Sequence, residues 1–230
     1  MRKKLLSALT MGIFVAAGLA SHSAANAATT NTTKSTAAKS SGAKKAKPAA
    51  ATPAKAKKTT AADQWHATRQ LAVASTAALV VEQGGSEPIY QKNADVVVPI
   101  ASISKLMTAM VVLDSRPNLQ EPIHVSDDDV DYLKGSRSRL HVGSELARED
   151  AMLISLMSSE NRATHALARH YPGGLSAFVT AMNRKAAELG MFNTRFEDPT
   201  GLSSNNVSTA KDLAKMVAAA HRYPLIREFS

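Results

Sequence analysis

For residues 63–230 the sequence predicts a mixed fold, a small antiparallel hairpin followed by helices, and three observations predict it. AALVVEQ, then GGSE, then PIYQKN reads as strand, Gly-Gly turn and second strand over residues 77–92. From residue 99 almost to the end, apolar residues recur at helical spacing and each run carries its own start or stop residues. The 62 residues before this region carry no pattern from which a packed core could form.

Those first residues fall into two parts. Arg2, Lys3 and Lys4 precede the apolar run LLSALTMGIFVAAGLA, and Ala25-Asn26-Ala27 supplies small residues at cleavage spacing. This is the layout of a secretory signal peptide, residues 1–27, and it puts the mature protein outside the cytoplasm. Residues 28–62 are nearly all Ala, Thr, Ser, Lys and Pro, and cannot bury enough apolar surface to offset their ordering entropy. They read as a disordered basic linker, and the folded domain as residues 63–230.

Within that domain a short helix-compatible segment (63–69) comes before the hairpin. PIASISKLMTAMVVLD, residues 99–114, is a helix that Pro117 prevents from continuing. Ser126 and the three aspartates after it read as a capped start to a short helix ending near Gly135. The alternation and glycine of a calcium loop are missing there. Glu149–Met157 and Arg162–His170 are helices on either side of a break at 158–161. A further helix runs from about Leu175 to Leu189 and is stopped by Gly190. After a turn around Asp198-Pro199-Thr200-Gly201, a last helix starts at Ser208 or Thr209, has Asp212 in a capping box and ends before Pro224. A lone hairpin is marginal, so either it packs on helices alone or its partner strands are missing.

The formal charge of +9 is unevenly placed. Of 28 basic residues, three lie in the signal and eight in the linker, which leaves 17 against 19 acids, or −2, from residue 63 onward. A folded part this close to neutral gives no footing for nucleic-acid binding. At most the linker rests loosely on an anionic wall polymer or membrane surface. With no cysteine, and seven histidines that show no ligand spacing, neither a metal nor another cofactor is expected.

A lysine inside the apolar run 99–114 needs a partner, because burying an unpaired ammonium costs several kcal/mol, roughly. Helical geometry chooses between the nearby serines: Ser102 lies three residues before Lys105 and can face it, whereas Ser104 is adjacent and cannot. By the same reasoning Ser104 is a bystander. Ser102 also stands near a helix start, where free N–H groups can steady an oxyanion. Burial lowers a lysine pKa, so a neutral Lys105 amine could take the proton of Ser102 as it attacks a carbonyl. A Ser–Lys pair is a known variant of the nucleophile–base arrangement. Ser159-x-Asn161, at the break between two helices, adds a hydroxyl and a carboxamide suited to proton relay and to holding a peptide.

Taken together these residues resemble the penicillin-binding protein and serine β-lactamase superfamily. The nearer resemblance is to the low-molecular-weight D-alanyl-D-alanine peptidases, especially their endopeptidase branch. It rests on PIASISKLMTAM, LKGSRSRLHVG, LMSSENRATHALARHYPGG, FVTAMNRKAAELGM and DPTGLSSNNVSTAKDLAKM, and covers nearly everything from residue 73 on. The resemblance implies an α+β fold, with an antiparallel sheet flanked by helices and a helical subdomain. It implies acyl transfer on peptidoglycan stem peptides and cross-links, with β-lactam antibiotics as covalent inhibitors. Ser102 would be the nucleophile, Lys105 the base, Ser159 an aid to proton transfer and Asn161 a substrate-orienting group. Glu160 stands where many carboxypeptidases of the family have glycine, and SSEN looks more like the endopeptidases that cut D-alanyl–diaminopimelate cross-links.

One family motif, Lys-Thr-Gly on a strand, does not occur: Lys211 is followed by Asp212. In the family that strand lines the pocket and supplies half the oxyanion hole. The expectation is therefore a chain cut short of its C-terminal sheet strands, with little or no activity as a 230-residue product. Two rival readings are a class A-like β-lactamase, with Glu197 activating water, and an inactive relative that only binds peptidoglycan.

Overall fold

The computed structural model describes residues 73–230 and, before them, the backbone of Val15–Ala17. The signal-peptide, linker and 63–69 helix readings otherwise lie outside the described residues.

Three strands form the first sheet: β1 (Val15–Ala17), β2 (Ala77–Val81) and β3 (Pro88–Lys92), with β2 in the middle and both pairings antiparallel. The hairpin is the predicted one. Leu79 pairs with Gln91 and Val80 with Tyr90, and a register shift follows at Val81. Its third strand was not foreseen: it comes from the run read as a signal core, where Val15 pairs with Leu79.

Four shorter strands were not foreseen: β4 (Val98–Pro99) pairs with β7 (Val207–Ser208), and β5 (Pro122–His124) with β6 (Glu145–Ala147). Two or three residues are too few to show an alternation, so only their partners define them.

The helices are α1 (Ser104–Asp114), α2 (Arg148–Met157), α3 (Asn161–Arg169), α4 (Gly174–Glu188), α5 (Ala210–Ala220) and α6 (Pro224–Phe229). All but α6 were predicted. Pro224, read as the barrier after α5, is the first residue of α6, where a missing N–H costs nothing. Thr209 caps α5 as expected, its hydroxyl accepting from Asp212 N at 3.1 Å.

The helix predicted from Ser126 to Gly135 is only a 3-10 turn, Asp127–Asp129. Its capping box is present, but Asp129 points inward rather than serving the helix dipole. One carboxylate oxygen meets His165 Nδ1 at 2.7 Å and the other meets Arg169 Nη2 at 2.9 Å, tying the turn to α3. Burial alone would raise this carboxyl, but the His165 and Arg169 bonds outweigh it and hold the pKa at about 2.

α1 is the central element and touches each of the other five helices. Met107, Met110, Val111 and Val112 are buried among Met152, Leu167, Phe178, Met182 and Leu213. A helix enclosed on all sides is a rigid mount for whatever its first turn carries. The α+β arrangement agrees with the expected fold class.

Candidate active site

The chain reaches α1 through a forced turn. β4 leads into Ile100, whose N–H donates to Asn206 O at 3.0 Å, and then into Ala101, which has a φ of +47°. A non-glycine residue in that region costs of order 1 kcal/mol or more and persists only where its surroundings hold it. Gly201, with a φ of +85°, supplies the hold. Its backbone lies so close to the Ala101–Ser102 peptide that an added Cβ would overlap the Ala101 carbonyl. Ser102 therefore sits in a 3-10 turn, Ala101–Ile103, that runs into the start of α1.

The spacing argument for Ser102 and Lys105 holds. Lys105 is 3% exposed, and its Nζ donates to Ser102 Oγ at 3.0 Å, Asn161 Oδ1 at 2.8 Å and the Thr200 carbonyl at 2.9 Å. Three acceptors match the three donors of an ammonium. Burial nevertheless lowers its pKa from 10.5 to about 8, partly opposed by the negative charges of Asp198 and Glu160. At pH 7 the amine is thus neutral in about one molecule in ten.

Ser104 is not a bystander. Wholly buried, it donates to Ala101 O at 2.9 Å and accepts from Asn206 Nδ2 at 2.9 Å. It pins the strained turn from below while Gly201 closes it from above.

The loop 197–206 forms one wall of the site, and apart from Glu197 in the class A-like reading, sequence reasoning gave its members no role. Asp198 Oδ1 accepts from Thr200 N and Thr200 Oγ1, both at 2.6 Å, and from Gly201 N at 2.8 Å, while its Oδ2 accepts from Ser203 N at 2.7 Å. Asn206, fully buried, accepts from Glu197 N and Asp198 N and donates to Asp198 O and Ser104 Oγ. Thr108, one turn after Ser104, donates to Pro199 O at 2.6 Å. A signal was present: Ser104 and Thr108 are polar at i, i+4 on an otherwise apolar helix, flanking Lys105.

The other wall begins at the corner between α2 and α3. Asn161 opens α3; its Oδ1 receives Lys105 Nζ, and its Nδ2 donates to Ser136 Oγ at 2.9 Å. Glu160 caps α3 by accepting from Arg162 N at 2.9 Å. Ser159, exposed and with a φ of +57°, has no hydrogen-bond partner among the described residues. Ser102, Lys105 and Asn161 are thus linked directly, whereas Ser159 stands on the same corner without being bonded to any of them. Glu197 is exposed and bonded to Ser203 and Asn205 of its own loop, away from Ser102 and Lys105. It gives the class A-like reading no support.

A Ser–Lys pair at the head of an enclosed helix, joined to the first residue of a second helix, is the arrangement expected of the penicillin-binding protein and serine β-lactamase superfamily. The chain belongs to the D-alanyl-D-alanine carboxypeptidase family, whose model matches residues 61–230. It is 52% identical over 161 residues to a D-alanyl-D-alanine endopeptidase of Pseudomonas aeruginosa, covering 70% of this chain and 52% of that one. Against the D-alanyl-D-alanine endopeptidase of Escherichia coli the identity is 54% over 158 residues, covering 69% and 51%. The crystal structure of the Streptomyces K15 DD-transpeptidase matches with a TM-score of 0.60 at 29% identity, over 65% of this chain and 61% of that one. The chain spans about half the length of the two endopeptidases.

Proposed function

We propose that this protein is a serine-type D-alanyl-D-alanine peptidase of the endopeptidase branch, acting on D-alanyl–diaminopimelate cross-links of peptidoglycan. The observation that carries the reading is Lys105 Nζ, buried and held between Ser102 Oγ and Asn161 Oδ1. The endopeptidase relatives and the SSEN sequence support the branch.

In this mechanism a neutral Lys105 amine takes the Ser102 proton as Oγ bonds to the D-alanyl carbonyl carbon. Collapse of the tetrahedral intermediate breaks the amide C–N bond, and the proton passes to the leaving amine with Ser159 as relay. Asn161, fixed by Lys105 and Ser136, orients the peptide. Water then attacks the acyl-enzyme, one proton returns to Ser102, and a free D-alanyl carboxylate leaves. No cofactor is required. A β-lactam acylates Ser102 by the same first step. The leader-like sequence of residues 1–27 supports work outside the cytoplasm, and the basic linker would allow loose contact with an anionic wall or membrane surface.

The test is digestion of purified cross-linked muropeptides by the protein made from its gene, alongside Ser102→Ala. Monomer should appear with the first and not with the second. Equal product from both would overturn the reading, and binding without cleavage by either would favour a non-catalytic peptidoglycan binder.

A further inference from the structure

The segment Ser136-Arg137-Ser138-Arg139-Leu140 alternates in a way the mechanism does not use. Ser136, Ser138 and Leu140 are partly buried, while Arg137 and Arg139 are exposed. Both arginines therefore stand on the exposed side of the segment, two residues apart, with Arg139 at a bend that the Ser138 hydroxyl closes by accepting from Leu140 N at 3.0 Å.

The inward face is anchored to the site itself. Ser136 Oγ accepts from Asn161 Nδ2 at 2.9 Å, and Ser138 Oγ donates to Glu160 Oε1 at 2.8 Å. Leu140 O accepts from Arg162 Nη1 at 2.6 Å, and Leu140 packs on the main core. At the base, Asp131 Oδ1 accepts from Leu133 N and Lys134 N, and its Oδ2 from Ser136 N at 2.8 Å. These hydrogen bonds and the packing of Leu140 tie the segment to the α2–α3 corner, to its own base and to the core.

The outward face is different. Neither Arg137 nor Arg139 has an ion pair or side-chain hydrogen bond among the described residues. Lys134 adds a third cation, and no acid occurs between residues 132 and 144. Only three hydrogen bonds separate Ser136, next to Arg137, from the nucleophile: Ser136–Asn161, Asn161–Lys105 and Lys105–Ser102.

We propose that Arg137 and Arg139 form a carboxylate-binding subsite at the lip of the Ser102 site, selecting acidic peptides. The inference rests on the peptidase reading and names its specificity element. Stem peptides that contain diaminopimelate carry free carboxylates beside the scissile bond. A guanidinium binds such a group through two parallel N–H bonds, which an ammonium cannot do. Glu160, the residue that separates SSEN from the glycine-containing carboxypeptidase motif, is the group that holds Ser138 and therefore sets the register of both arginines.

The experiment compares cross-linked muropeptide dimers bearing free carboxylates with the same dimers amidated at them. Arg137→Ala/Arg139→Ala should raise KM on the free acid about tenfold with kcat nearly unchanged, and leave KM on the amidated dimer unaltered. Arg137→Lys/Arg139→Lys should recover part of the loss. A KM change below about twofold, or equal losses on both substrates, would overturn the subsite. Equilibrium binding of the dimers to Ser102→Ala, with and without the arginine pair, separates the two claims. About tenfold weaker binding of the free acid without the arginines supports the subsite even if no variant cleaves, and unchanged binding refutes it even if cleavage is intact.

Discussion

On one side of Lys105 stands the loop 197–206, on the other the head of α3 with the segment 136–140, and the two are held by different means. The loop is turned inward. Asp198 and Asn206 spend their hydrogen bonds on its own backbone and on Ser104, and Gly201 presses on the nucleophile turn. The opposite wall has a buried face fixed to Asn161 and Glu160 and an outer face of free cations, with Ser159 exposed beside it. On the proposed function the difference separates two tasks: generating a neutral amine needs a geometry set before substrate arrives, whereas recognising a charged peptide needs groups that are still unpaired when it does.

Substitutions on the base side should accordingly strike the chemistry. Lys105→Met is expected to lower the rate of β-lactam acylation about 10³–10⁴-fold without unfolding the protein, as measured by stopped-flow labelling and circular dichroism. Gly201→Ala forces a Cβ into the Ala101 carbonyl at a φ glycine tolerates best; an acylation rate lower by about 10²-fold should follow from displacement of Ser102. Asn206→Ala leaves two backbone N–H groups and the Ser104 hydroxyl short of a partner, which should cost about 1–3 kcal/mol in urea unfolding.

The smallest effect tests the coupling between the walls. Glu160 raises the Lys105 pKa, so Glu160→Gln, which keeps an acceptor for Ser138, should move the acylation profile slightly toward lower pH. A shift toward higher pH would show that the charge of Glu160 does not act on Lys105 as described.

How much was legible in the sequence follows from the same contrast. Ser102 and Lys105 could be paired because a three-residue helical spacing is local, and the helices could be found because apolar residues recur at helical spacing between start or stop residues such as Pro117 and Gly190. Asn161 was found through its position at a helix break. The loop's part left only an indirect mark, the polar Ser104 and Thr108 on α1, which does not tell what they bond. Thr200 O meets Lys105 across 95 residues of chain and Asn206 meets Ser104 across 102, and a backbone carbonyl leaves no mark in a sequence. The same distance effect turned Ser104 from an apparent bystander into a buried anchor. Asp129 was misjudged for a related reason: its pull toward His165 and Arg169, far along the chain, overrode the local helix signal.

In the proposed mechanism Lys105 delivers a neutral amine to Ser102 because burial lowers its pKa to about 8. The direct measurement is the second-order rate constant for Ser102 acylation by a fluorescent penicillin from pH 6 to 10, using the protein made from its gene. The rate should rise about tenfold per pH unit at the acid end, with a single inflection near 8 and a plateau above it, and the inflection should be abolished in Lys105→Met. A rate independent of pH across that range, or an inflection that survives in Lys105→Met, would contradict it.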